Sequence, residues 1–207
     1  QRPPSDAEVV RTNLLGTLHL LEASAGLPLR CFVNTGSSSE YGWRDTPMRE
    51  DDVVQPRDAY AISKCAATLY AAAAGRRGRP ALTLRLFSPY GSYDDPRRFI
   101  PTAINAALTE SAVPAADPAM GRDYVYVDDV VEAYLACVTR AHKLAGATIN
   151  IGSGRQTTLG EIAEAIVRLV PNAPPPRWGA FPTSPQDSPY WQADITKARE
   201  LLGWQPR

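Results

Sequence analysis

The sequence predicts an α/β fold built on a parallel sheet, and three observations carry that prediction. Strand-like runs at 29–34, 81–87, 122–127 and 148–151 recur along the chain. Stretches of helical character separate them, and parallel neighbours need crossover segments of that kind. Polar motifs stand where the runs end. The foremost is Thr35-Gly36-Ser37-Ser38-Ser39-Glu40-Tyr41-Gly42, followed by Tyr60-Ala61-Ile62-Ser63-Lys64.

Taken in order, Ser5-Asp6-Ala7-Glu8 has the form of a capping box. Val9, Val10, Leu14, Leu18, Leu21 and Ala25 follow at helical spacing, and Gly26 stops the helix. A strand over 29–34 opens into the serine loop, and 43–58 is a polar, proline-bearing loop. Residues 57–74 form an alanine-rich helix. The strand at 81–87 leads into Ser88-Pro89-Tyr90-Gly91 and a charged loop, 92–98, in which Arg97 and Arg98 could meet phosphate but read first as a solvated pair. A helix over 99–110 has Pro101 in its first turn, where the missing N–H has no partner to lose. The strand at 122–127 precedes Asp128 and Asp129, read as caps of a helix over 130–140. The strand from Thr148 ends in the Gly152–Gly154 turn, and Thr157 or Thr158 caps a helix over 159–170. A proline-rich wrap over 171–189 leads to a last helix at 195–202.

Composition narrows the function classes. The 207 residues are 44% hydrophobic, enough for a globular core. Basic and acidic residues balance at 22 each, which gives no reason to expect nucleic acid or an anionic membrane as partner. Cys31, Cys65 and Cys137 sit in apolar contexts with no metal-site spacing, and their odd number argues against a disulfide framework. Reduced thiols in a cytoplasmic protein are the expectation. His19 and His142 lie far apart and read as surface or packing residues. No secretory signal is present, and no apolar run approaches the length of a membrane span.

The chemistry follows from spacing. Tyr60 and Lys64 are one helical turn apart and share a face. A free phenol, with a pKa of about 10, is a poor base at neutral pH, and a nearby ammonium favours the phenolate. A serine hydroxyl beside them can hold a substrate oxygen. Such a trio suits removal of a proton from a secondary alcohol while a nicotinamide takes the hydride, or the reverse on a ketone. Each part alone is ordinary: alanine-rich helices carry Tyr and Lys four apart by chance, and serine-rich strand ends are common turns.

The serine loop closing in Tyr41-Gly42, Tyr60-x-x-x-Lys64, the run into Ser88-Pro89-Tyr90-Gly91 and Gly121-Arg122-Asp123-Tyr124-Val125-Tyr126-Val127-Asp128-Asp129 form an ordered set. This set resembles the extended short-chain dehydrogenase/reductase family, in its NAD-dependent epimerase/dehydratase branch acting on nucleotide sugars, and the resemblance runs through nearly the whole chain. It implies a partial Rossmann-type sheet over 1–89, with 121–150 returning to it. A small mixed α/β substrate domain would come from 90–120 and 151–207. It implies Tyr60 as acid/base, Lys64 lowering the phenol's pKa and contacting the nicotinamide ribose, and Ser37 orienting the sugar oxygen. Ser37 is preferred to Ser38 or Ser39 because it lies four before Tyr41, where the family places its Ser or Thr. Asn13, in Asn13-Leu14-Leu15-Gly16-Thr17, and Phe87 join Tyr60 and Lys64 at the cofactor, NAD with NADP left open. Ser38, Ser39, Ser88 and Arg122 fall to the nucleotide sugar, and a guanidinium at Arg122 suits a bidentate grip on pyrophosphate. Asn13 fits equally a solvent-facing helix residue, Phe87 a core aromatic, and Arg122 a structural salt bridge. No metal site is implied.

The chain departs from the family's pattern in places. Dehydratases carry Asp-Glu directly after the catalytic hydroxyl. Here Ser38-Ser39 stand there and Glu40 comes one place late. Ser88 replaces an Asn, and Ser184 replaces an Arg ten residues before Asp194. The family's opening Gly-x-x-Gly-x-x-Gly loop follows no strand here, so the resemblance implies that two to three βα units of about 30 residues each are missing. Their loss would leave an apolar sheet edge open. The resemblance also implies a homodimer through the helices at 5–25 and 57–74. The expected activity is nucleotide-sugar epimerisation, with a 4-ketoreductase as alternative. A cofactor-free binding or assembly protein is the reading from another class.

Overall fold

A computed structural model describes residues 2–113, 115–180 and 190–207. The first helical segment begins at α1 (Asp6–Val10), passes through a π-helical turn at Arg11–Leu15 and continues as α2 (Gly16–Ala23). The Ser5 hydroxyl accepts from the Glu8 N–H while the Glu8 carboxylate accepts from the Ser5 N–H, a reciprocal cap. Then come β1 (Phe32–Ser37), a 3-10 turn at Ser38–Tyr41, α3 (Ala59–Arg76) and β2 (Ala81–Leu86). β3 (Ser88–Tyr90), α4 (Phe99–Leu108), β4 (Gly121–Arg122), β5 (Tyr124–Tyr126) and α5 (Val127–Arg140) follow. β6 (Thr148–Ile151), β7 (Thr157–Thr158), α6 (Leu159–Leu169) and α7 (Thr196–Leu202) complete the chain.

The central sheet is parallel, in the order β1–β2–β6. β2 is buried on both faces, as a central parallel strand must be. Leu82, Leu84, Ile149 and Ile151 are fully buried and pack with Val130, Ala133 and Cys137 of α5 and with Ala198, Leu202 and Trp204 at the C-terminus. Each fully buried leucine or isoleucine among them stabilises the fold by about 1.5–3 kcal/mol. α3 covers the opposite face with Ala67, Ala71 and Ala74, small residues that let the helix lie close to the strands. Polar residues inside the sheet are matched: the buried Asn34 amide donates to Thr83 Oγ1 across the β1–β2 pair (3.1 Å). A second apolar cluster joins α4 to α6 through Ala103, Ala106, Ala107 and Ile166. β3–β5 and β4–β7 are short two-stranded pairs beside it.

Several expected boundaries move. The first strand lies at Phe32–Ser37, not 29–34, because Leu27 and Leu29 are exposed and pairing with β2 runs from Phe32↔Ala81 to Ser37↔Leu86. The serines therefore begin on the strand. The single strand expected at 122–127 is broken at Asp123, whose carboxylate turns inward, and Val127 already belongs to a helix. Asp128 and Asp129 do not cap that helix; they lie in its first turn, where carboxylates still favour the N-terminal N–H groups. Thr158 is the cap of α6, in a capping box with Glu161. Cys31 is half-buried, whereas Cys65 and Cys137 are buried, and burial pushes the Cys137 thiol up to about 12. Part of the expected wrap at 171–189, including Ser184, lies outside the described residues.

Among the described residues β1 pairs on one side only. Val131, Leu135 and Val138, which share one face of α5, are 51%, 61% and 41% exposed. No helix among the described residues is long and apolar enough to cross a membrane. Asp123 fastens the C-terminal segment to the sheet. Its carboxylate accepts from Ser153 Oγ (2.7 Å), Gly154 N (3.0 Å) and Ala193 N (2.9 Å), as well as from Ser153 N. Asp123→Asn turns an N–H₂ toward this ring of donors. We expect a loss of about 2–3 kcal/mol of stability, read as a lower denaturant midpoint at unchanged slope.

Candidate functional site

The cleft sits at the carboxyl ends of β1 and β2, where open parallel sheets bind ligands. It measures about 340 Å3 and is lined by Ser37 and Ser38 from the first strand end and by Phe87 and Ser88 from the second. Tyr60 from α3, Arg98, Arg122 and Trp191 complete its polar and aromatic walls. Six of the residues singled out in the sequence thus share one cavity: Ser37, Ser38, Tyr60, Phe87, Ser88 and Arg122.

Ser37 is both the last residue of β1 and the N-cap of the 3-10 turn. Its hydroxyl lies 2.8 Å from that of Ser39 and accepts from the Ser39 N–H (3.3 Å), and its own N–H donates to Glu40 Oε1 (2.8 Å). Ser39 therefore braces Ser37 from outside the cleft lining. Ser38 is buried, and its hydroxyl accepts from the Trp191 indole N–H (2.9 Å).

Tyr60 is in the first turn of α3, which begins behind the Asp58 cap, and is 45% exposed, so its ring is open to a ligand. The Lys64 ammonium stands 5.9 Å from the Tyr60 ring centroid and donates to the Thr35 carbonyl (3.0 Å). Burial pulls the Lys64 pKa below its usual value, and the nearby Glu40 charge opposes that shift. Asn13 lies in the π-helical turn, a distortion that recurs at functional sites. Its amide donates to Ser63 Oγ (3.0 Å), which donates to the Tyr60 carbonyl (2.8 Å). Asn13 thus braces the tyrosine turn rather than lining the cavity. Phe87 is 4% exposed and joins the core beside Tyr41 while touching the cleft, so both readings of it hold in part.

Glu40 is absent from the lining. It is fully buried and paired with Arg85. Two lining residues were not assigned to the site by the sequence reading. Arg98 was read first as solvated, yet its guanidinium reaches back to the Pro89 carbonyl and Asp94 (both 3.0 Å) at the cleft rim. Its place just before α4, a short loop after a strand end, was the available signal. Trp191 arrives from the far C-terminal segment, with the Arg122 guanidinium 5.3 Å from its ring. Nothing local marked it. The lining carries two guanidiniums and no carboxylate, a balance that suits a doubly charged anion.

A serine hydroxyl and a phenol thus share one cleft at the strand ends of a parallel sheet, with an ammonium one helical turn behind the phenol. The chain belongs to the NAD dependent epimerase/dehydratase family, whose pattern matches residues 3–152. A UDP-glucose 4-epimerase of Mycolicibacterium smegmatis is 34% identical over 221 residues, covering 99% of this chain and 66% of that protein. The chain therefore spans somewhat less than two thirds of that relative's length. The solved structure of a Thermotoga maritima UDP-glucose 4-epimerase with UDP-glucose superposes with a TM-score of 0.89 at 29% identity, over 98% of this chain and 67% of that one. MoeE5 in complex with UDP-glucose and NAD gives 0.86 at 30% identity, over 97% and 68%.

Gly36 tests the packing beneath this site. A Cβ there would lie 2.7 Å from Glu40 Oε1 and 2.8 Å from Thr83 Cγ2, both buried. Gly36→Ala should cost about 1–3 kcal/mol by overpacking, measured by thermal or chemical unfolding.

Proposed function

We propose that this chain carries the catalytic and substrate-binding part of an NAD-dependent nucleotide-sugar epimerase acting at sugar C4. The observation that carries the reading is the single cleft uniting Ser37, Tyr60 and Arg122 with Lys64 one helical turn behind the phenol. In this reading a sheet lobe over 1–89 and 121–150 and a substrate lobe drawn from 90–120 and 151–207 build it, except that the last helix packs on the sheet through Ala198 and Leu202.

In this reading Ser37 Oγ holds the oxygen on the reacting carbon. Tyr60 Oη takes the proton of that hydroxyl as the alcohol is oxidised and returns it when the ketone is reduced from the other face. Lys64 keeps a positive charge beside the phenol, which favours its phenolate form. Arg122, and Arg98 at the rim, hold the diphosphate. Ser88 and Ser38 offer hydroxyls to the sugar. The exposed Tyr60 ring, the half-buried Lys64 and the cleft-facing edge of Phe87 fit the nicotinamide end of NAD, which when bound supplies the hydride acceptor and donor. Asn13 supports this wall through Ser63. The phosphate end of NAD would need a glycine-rich loop that none of the chain's glycines forms. NADP fits the same residues. A 4-ketoreductase would use the same groups for the reductive half alone. Ile62 and Leu69, 52% and 59% exposed on one face of α3, support pairing of that helix with a second copy.

The test uses the cofactor-loaded enzyme with UDP-glucose or another nucleotide sugar as substrate. Tyr60→Phe should lower kcat by about 10²–10⁴-fold with substrate affinity nearly unchanged; near-normal turnover sinks the reading. Arg122→Met should act the other way, raising KM at least about tenfold with a smaller effect on kcat, as steady-state kinetics would read.

A further inference from the structure

We propose that Glu40 is a positioning residue for this site: its buried carboxylate anchors the backbone of Ser37 and so fixes the hydroxyl that faces the cleft. The inference rests on the proton-transfer reading given above and assigns a role to a group that touches neither substrate nor cofactor.

Four hydrogen bonds fix the carboxylate. Oε1 accepts from Ser37 N (2.8 Å) and Thr68 Oγ1 (3.0 Å), while Oε2 accepts from Arg85 Nε (3.1 Å) and Nη2 (2.8 Å). Both partners of the ion pair are buried, at 0% and 4% exposure. Arg85 lies 4.3 Å from the Tyr41 ring centroid, and its Nη1 is the buried side-chain atom among the described residues that has no hydrogen-bond partner. Buried ion pairs of this sort commonly add less stability than well-packed apolar residues of similar volume. Stability alone therefore does not account for this pair, whereas its place does. Glu40 lies three residues after Ser37, and its oxygen holds the N–H of the residue whose hydroxyl faces the cleft. A Cβ at Gly36 would lie 2.7 Å from that oxygen, so the strand end runs close beside the carboxylate.

The decisive variant is Glu40→Gln, which keeps the side chain's length and one acceptor but not its charge. On the cofactor-loaded enzyme we expect kcat to fall about 10²-fold with KM little changed. A purely structural Glu40 would lower Tm alone, leaving kcat per folded molecule where it was; that outcome overturns the proposal. If Glu40→Gln does not fold, Thr68→Val keeps the ion pair and removes one bond from Oε1. It should then lower kcat about fivefold at constant KM, and an unchanged kcat overturns the proposal equally. Tyr60→Phe run in parallel separates the two levels. Activity surviving in Tyr60→Phe means the reading of the site has failed, whereas an inactive Tyr60→Phe beside a normal Glu40→Gln means that only the role of Glu40 has.

Discussion

The parallel pairing of β1 with β2 is the constraint from which the cleft follows. With Ser37 opposite Leu86, both strands end at the same level, so the Ser37-Ser38 turn and the Phe87-Ser88 turn emerge side by side. α3 then approaches closely because its inward face is alanine. Tyr60 lies in its first turn, beside the strand ends, and Lys64 reaches back to the Thr35 carbonyl from one turn further on. A slip of one residue in the β1–β2 register would turn Asn34 and Gly36 outward and bury Thr35 and Ser37 instead. The serine face would then be lost to the core.

That pairing places polar groups inside the protein, and each costs free energy unless it is matched. With the exception of Arg85 Nη1, those described here are matched in a connected series. Arg85 joins Glu40 to the Tyr41 ring, and the Tyr41 hydroxyl donates to Asn150 Oδ1 (2.7 Å). The Asn150 amide donates in turn to the Met48 and Asp194 carbonyls (2.9 and 3.3 Å). Burial pushes the Tyr41 phenol and the Glu50 carboxyl above their usual ranges, and Glu50 accepts from the Asn150 N–H (2.8 Å). The series ties the floor of the proposed site to the C-terminal segment that carries Trp191. A core made only of apolar residues would tolerate small shifts of one element against another. A hydrogen-bonded polar one does not, because a shift leaves further buried donors or acceptors unpaired.

Much of this was legible in the sequence, for identifiable reasons. The α/β class, the α3 helix with Tyr60 and Lys64 and the reciprocal cap at Ser5 follow from periodicity and local chemistry, and those signals are short-range. The extent of β1 was not legible, because Thr35, Gly36 and Ser37 have little strand propensity of their own and take strand geometry from β2. Asp123 looked like part of a strand because its partners, Ser153, Gly154 and Ala193, lie 30 to 70 residues away. Trp191 was missed for the same reason: a loop residue joins a site through tertiary placement, which no local pattern encodes. Glu40 invited a catalytic reading from its neighbourhood in sequence, and only burial reveals that it faces the sheet.

The position of Glu40 also bears on which reaction the proposed site can run. Eliminating a hydroxyl from the carbon beyond the ketone needs an acid that reaches the leaving oxygen, and a second group that takes the proton from the carbon between. The oxygens of Glu40 are occupied by Ser37, Thr68 and Arg85 beneath the turn, out of the cleft. Ser38, which fills the place of the dehydratase Asp, is a hydroxyl already engaged by the Trp191 indole. No lining residue among those described carries a carboxyl, so in the proposed reading the proton traffic at the sugar falls to Tyr60. One proton-transfer group suffices for oxidation and re-reduction at a single carbon, since the same proton leaves and returns. It does not suffice for elimination, in which two protons move at different carbons. The carboxylate that would have widened the chemistry instead lies under the floor of the site, holding its serine in place.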